Sequence, residues 1–207
     1  DLAIETEDTV ALFELKKKNL TRATFGGSDL QLAIDLSQGF IHGFNQLARQ
    51  ELKLRTTGRL QLLDGSTIEW NERRILKVVL SVFDYGGLHD SVSIHHALRG
   101  LCGSTLLCSK ELALDESKAF SDANKNLQAM NKAFLDYKET TTGNERECDV
   151  FFRNSRFIDA FFFERILSVH STPEAIINAL SMQGSIHTGR RDNHFDFEDF
   201  LPHRLDG

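Results

Sequence analysis

The sequence predicts a mixed α/β fold, a core sheet flanked by helices, on three observations. Residues 1–18 (DLAIETEDTVALFELKKK) hold two apolar runs, Leu2 to Ile4 and Val10 to Phe13, on either side of the polar run Thr6-Glu7-Asp8-Thr9, which reads as strand, tight turn and returning strand. Residues 28–50 repeat apolar side chains at three- and four-residue spacing, the mark of an amphipathic helix. Residues 75–83 (ILKVVLSVF) are a β-branched-rich run of the kind a strand buried on both faces requires. The chain has 207 residues, 41% of them hydrophobic, enough for one generous domain or two small ones. The expected division is an α/β core over 1–86 and a mainly helical region over 87–207 that completes the fold or makes contacts.

If Glu7 and Asp8 are the turn residues of the opening hairpin, cross-strand partners have residue numbers that sum to 15, so Ala3 faces Leu12 and Asp1 faces Glu14. Opposed residues share a face, with Cβ atoms ~4.5–5.5 Å apart. Side chains alternate along a strand, so Lys16 joins Asp1 and Glu14 while Phe13 and Leu15 point the other way into apolar packing. Two neighbouring carboxylates repel and call for something positive between them. Hard oxygen ligands suit Mg2+ or Mn2+, and Lys16 would sit beside the metal-bound water.

In the helix that follows, Ser28 and Gln31 form a capping-box pattern and Asp29 adds negative charge to the first turn. Leu30, Ala33, Ile34, Ile41, Phe44, Leu47 and Ala48 make the apolar face, and Gln38 and His42 project together from its flank. Gly39 and Gly43 each cost a helix interior ~1 kcal/mol against Ala, so a strand or a nucleic-acid backbone is expected to approach them closely. Lys16, Lys17, Lys18 and Arg22 cluster at the strand exit, where they are a solvated strand end or a phosphate contact.

Further along, Asp64-Gly65 between alternating runs predicts a hairpin over residues 59–70, with Gln61 and Glu69 facing water. Helix is expected from Leu88 onward. His89, Asp90, His95 and His96 are close in sequence but a poor ligand set, because adjacent helical residues point about 100° apart. Residues 115–138 predict a long helix with a stripe of Phe120, Ala123, Leu127, Met130, Phe134 and Leu135, and residues 139–145 a mobile linker. Residues 149–170, with Phe161-Phe162-Phe163 among Arg153, Arg156 and Arg165, read as a helix buried on most of its surface rather than a nucleic-acid clamp. Thr172-Pro173 starts another helix and Gly184 stops it; the tail with Phe195, Phe197 and Phe200 folds back or serves as an acidic-aromatic docking segment.

With 24 Lys and Arg against 30 Asp and Glu, the net charge of -6 argues against a wholly basic nucleic-acid binder, though a local basic patch beside an acidic metal site remains compatible with a nuclease. No 18-residue apolar run or signal peptide is present, so no membrane partner is expected. Three cysteines, Cys102, Cys108 and Cys148, form no CxxC and suit a reducing, cytoplasmic setting. A P-loop, a GxSxG and a dinucleotide fingerprint are all lacking. With no initiator Met, the chain is expected to lack its natural start.

Asp1, twelve intervening residues and then Glu14-Leu15-Lys16 on an apolar strand resemble the PD-(D/E)xK, or restriction-endonuclease-like, nuclease superfamily, and the following Ser-capped helix with a Gln is similar to the Shedu-type nucleases of antiviral defence. The resemblance implies Mg2+ on Asp1, Glu14 and the backbone carbonyl of Leu15, a water assisted by Lys16, and Gln38 fixing that water or a phosphate. The aromatic usual four residues after the Gln is replaced by His42. The implied activity is metal-dependent phosphodiester hydrolysis, endonucleolytic and on DNA, with Lys17, Lys18, Arg22 and His42 contacting nucleic acid. The alternative is a non-catalytic module of the same fold that binds a protein partner or a second copy through its helical half.

Overall fold

In a computed structural model, residues 2–109, 111–141 and 145–183 are described. Strands β1 (Leu2–Glu5) and β2 (Thr9–Lys16) form the antiparallel hairpin, with Leu2 opposite Phe13 and Ala3 opposite Leu12. The expected register therefore holds over every described pair. Its turn is fixed locally, because the Thr6 hydroxyl donates to Asp8 Oδ1 (2.8 Å) and the Thr6 N–H to the Thr9 carbonyl (2.9 Å).

Short α1 (Arg22–Phe25) leads into α2 (Asp29–Leu36). The Ser28 hydroxyl accepts from Gln31 N–H at 3.3 Å, as expected of a cap, whereas the Gln31 amide turns to Asp35 (2.9 Å) instead of closing the capping box. A π-helical turn, Ser37–Ile41, joins α2 to α3 (His42–Thr57), so the predicted helix is one continuous rod with a wide turn at its middle. The rod ends at Gly58, whose φ of 73° is the left-handed conformation that glycine adopts cheaply.

After it come the small hairpin β3 (Arg59–Gln61) and β4 (Thr67–Glu69) and the central strand β5 (Arg74–Ser81). Then follow α4 (Ser91–Leu101), α5 (Leu114–Thr140), α6 (Glu145–Arg153), β6 (Ser155–Asp159), α7 (Ala160–Val169) and α8 (Pro173–Gln183). The main sheet runs β1-β2-β5-β6, and both β2–β5 and β5–β6 pair in parallel. The chain is thus mixed α/β, a four-stranded sheet flanked by helices, with a largely helical second half.

Helices cover both sides of that sheet. Val10, Leu12, Ile75, Val79 and Phe157 pack toward Phe40, Phe44 and Leu47 of the long rod and Leu127 and Met130 of α5. Ala11, Phe13, Leu76, Val78 and Ile158 pack toward Phe162, Phe163 and Ile166 of α7 and Ile177 and Leu180 of α8. Burial from both sides is why β2 and β5 read as unbroken apolar runs.

Residues 149–170 are not one helix, as the sequence suggested, but the end of α6, a strand and α7. All five residues of β6 are buried in the slot beside β5, and a short apolar run does not by its period distinguish a buried strand from a buried helix. Arg156 is buried here and donates to the carbonyls of Leu180 (2.9 Å), Arg153 (2.8 Å) and Ser155 (2.8 Å). Its guanidinium serves the backbone.

Leu15 also departs from expectation. It points away from Glu14 as alternation requires, but it is 51% exposed, because the apolar layer on that face ends at Phe13. The expected linker over 139–145 lies partly outside the described residues, with α5 running to Thr140 and α6 starting at Glu145. Asp1, Gly184 and the aromatic tail also lie outside them. Among the described residues, no helix is long and apolar enough to cross a membrane.

Candidate functional site

The carboxyl ends of the parallel strands β2, β5 and β6 come out together, with Lys16 beside Ser81 and Ser81 beside Asp159 in register. In sheets of this kind, ligand sites form at that edge, where the connecting loops leave the strands. Two groups of titratable side chains lie along it.

The first group is built on β2. Glu14 and Lys16 share the face of Val10 and Leu12, and Lys16 Nζ donates to Glu14 Oε1 at 2.7 Å. Lys16 Nζ also donates to Gln46 Oε1 of α3, a residue that the sequence reading did not single out. The side chains of Lys16 and Glu14 are 14% and 9% exposed, so the pair is largely covered but not sealed from solvent.

Gly43 makes that shielding feasible. A Cβ there would stand 2.9 Å from Val79 Cγ1 and 3.1 Å from Lys16 Cε, closer than carbon atoms pack. One turn earlier, a Cβ at Gly39 would stand 2.8 Å from the Tyr85 hydroxyl. The partner that the two glycines admit is the protein's own sheet together with Tyr85. Gln46 lies one helical turn beyond Gly43, and that shared face was the available clue to it.

The remaining candidates fall at varied distances from this pair. Asp1 lies outside the described residues, but the register carries β1 to within one residue of it. The Lys16 carbonyl accepts from Val82 N–H at 3.1 Å on the β5 side, so strand alternation aims the Leu15 carbonyl the other way, past Leu2, the first described residue of β1. Gln38 is half-buried on the π-helical turn, with no hydrogen bond to Glu14 or Lys16 among the described residues. His42 turns toward α5, its Nδ1 3.4 Å from Asn126 Oδ1. Lys17 and Arg22 are exposed.

Lys18 is engaged in the fold, 3.0 Å from Asp35. Asp35 also accepts from the Thr21 N–H (2.7 Å), the Thr24 hydroxyl (2.7 Å) and the Gln31 amide. Burial pushes the Asp35 carboxyl up, but those hydrogen bonds together outweigh it and hold the group below its ordinary value. Nearby, burial and then the Asp35 charge push the Tyr85 phenol up to about 12, so it stays protonated and donates to the Lys18 carbonyl at 2.7 Å.

The second group comprises Asp84, His89 and Asp159, whose ligand atoms all lie within 4.8 Å of one another. Sequence proximity had linked His89 to Asp90, His95 and His96. Instead, Asp90 caps α4 by accepting from Ser93 N–H (2.7 Å), and His95 Nε2 lies 3.2 Å from the Ser155 carbonyl. The true neighbours of His89 come from the loop after β5 and the end of β6. Cys102 and Cys108 are half-buried and unpaired, and burial pushes the Cys102 thiol up.

No family model, no curated protein and no solved structure matches this chain.

Proposed function

We propose that the chain is a metal-dependent phosphodiester hydrolase acting on DNA, with Glu14 and Lys16 at its centre. The observation that supports this reading is the contact between Lys16 and Glu14 on one face of β2, at the end of a hairpin whose register holds through Leu2–Phe13. The donors fit a hard divalent cation. Glu14 offers the carboxylate oxygen that Lys16 leaves open, the Leu15 carbonyl is aimed beyond the end of β1, and Asp1 would add the second carboxylate.

Bound Mg2+ would polarise a phosphoryl oxygen and lower the pKa of a water. The chain's own residues would do the rest. Lys16, held between Glu14 and Gln46, would orient the attacking water and offset charge growing on the phosphate. Gln46 would keep the ammonium from collapsing fully onto Glu14. Exposed Lys17 and Arg22 would meet the substrate backbone, whereas Lys18, committed to Asp35, would not.

The test is cleavage of duplex DNA with and without Mg2+ by the natural chain, Glu14→Gln and Lys16→Met. The expected result is Mg2+-dependent cleavage reduced at least ~100-fold in each variant, with the thermal transition retained. Undiminished cleavage by Glu14→Gln would remove the proposal.

The enclosure of the Glu14–Lys16 pair by α3 favours one second reading, a non-catalytic module in which the pair is structural and the helical half binds a protein partner or a second copy. A folded chain that cleaves nothing with Mg2+ yet forms a stable complex through 150–183 would favour it.

A further inference from the structure

We propose that Asp84, His89 and Asp159 form a second cation site, for a first-row divalent ion such as Mn2+ or Zn2+, at the carboxyl ends of β5 and β6. This inference does not depend on the hydrolytic reading.

His89 is 5% exposed. Its Nε2 accepts from Tyr85 N–H at 2.8 Å, so that nitrogen carries no proton, and its Nδ1 is the donor toward the Phe157 carbonyl, 3.1 Å away. A ring nitrogen donating to a backbone carbonyl is the outer-shell arrangement that fixes the tautomer of a metal-ligating histidine and points its other nitrogen at the ion. The ring is further held by Phe157 and Tyr85, with centroids 4.7 and 6.0 Å away. The lone pair is therefore presented in one direction by a rigid support.

Two carboxylates lie beside that nitrogen. Asp84 Oδ1 is 3.6 Å from His89 Nε2, and Asp159, 1% exposed, approaches from β6. Each already does local work: Asp84 Oδ1 accepts from Gly86 N–H (2.6 Å), and Asp159 Oδ1 caps α7 by accepting from Phe162 N–H (2.8 Å). A carboxylate has two oxygens and about four lone-pair directions, so those bonds can persist while the same groups ligate. The imidazole has a single lone pair. A cation must take the place of the Tyr85 N–H, which donates along that direction.

Two carboxylates and one imidazole suit Mn2+ or Zn2+ better than Mg2+, which favours all-oxygen shells. Asp84 leaves one side of the cluster open, its side chain being 68% exposed, so waters can complete the coordination.

The test is a Mn2+ titration of the full chain followed by electron paramagnetic resonance, in a Glu14→Gln background that separates this site from the hydrolytic one. Asp84→Asn is the diagnostic variant, because an exposed side chain can change without unfolding the protein. The expected result is one bound Mn2+ per chain in Glu14→Gln, with affinity falling at least ~10-fold in Glu14→Gln/Asp84→Asn. His89→Gln, checked to be folded by its thermal transition, should show the same loss. No bound Mn2+ in Glu14→Gln, or equal binding after Asp84→Asn, would overturn the proposal.

Discussion

Under the same helix, one face of the sheet carries two lysine–glutamate pairs, and the pairs differ in their access to solvent. Deep in the layer, Lys77 of β5 donates to Glu51 of α3, with side chains 0% and 2% exposed. Arg55 lies 3.0 Å from the same carboxylate, and the Phe44 and Phe151 rings wall in the ammonium. At the carboxyl edge, Lys16 donates to Glu14 and Gln46, and the Lys16 and Glu14 side chains keep 14% and 9% exposure. The sealed pair can only fix α3 on the sheet. The edge pair keeps contact with solvent, and that difference in access, not the residue types, separates a structural contact from a candidate site.

The sealed pair should respond most strongly to substitution. Glu51→Ala leaves the buried Lys77 without its carboxylate and should destabilise the chain by ~3–5 kcal/mol, read by urea unfolding. The double variant Glu51→Leu/Lys77→Met should recover most of that loss, because an apolar pair needs no counter-charge.

Next in size is Gly43→Ala. Helix propensity alone would stabilise by ~1 kcal/mol, but the added methyl meets Val79 and Lys16, and overpacking of this kind costs ~1–3 kcal/mol. Net destabilisation is expected, together with loss of the Lys16–Gln46 contact in a crystal structure. A gain in stability would mean that α3 does not press on the edge pair.

Smaller again are Glu14→Gln and Lys16→Met. At a partly open edge they should cost about 1–2 kcal/mol in the same urea assay, well below Glu51→Ala, while removing activity. Equal stability losses at the two pairs would erase the distinction drawn between them.

The smallest effect is on pH dependence. The Asp35 carboxyl is held below its ordinary 3.8, so its folded pKa lies under its unfolded one. The stability it contributes is complete above the unfolded value and disappears as pH falls through the folded value. Asp35→Asn should flatten that acid limb of a stability–pH curve and leave the neutral region parallel to that of the natural chain.

The legible parts of this fold are those set by local pattern. The hairpin register follows from a two-residue turn and a period of two, and the position of the long rod from Ser28, the apolar spacing and Gly58. The strand β6 was hidden because Ser155 to Asp159 has too few residues to establish a period, and only the slot beside β5 makes it a strand. At the site, Glu14 and Lys16 are legible as strand neighbours. Gln46 is not, since the π-helical turn and the packing of α3 decide which side chain reaches the lysine. Asp84, His89 and Asp159 are farther from view still, because parallel pairing of β5 with β6 unites residues distant in sequence.

Diffraction from crystals soaked in Mn2+, recorded for its anomalous signal, decides whether the edge pair holds a metal. A hydrolytic site there should give a peak about 2.2 Å from a Glu14 carboxylate oxygen and the Leu15 carbonyl, beside an ammonium still held by Gln46. A Mn2+ peak at Asp84 and His89 with none at Glu14 would contradict it and leave the edge pair as a second structural contact.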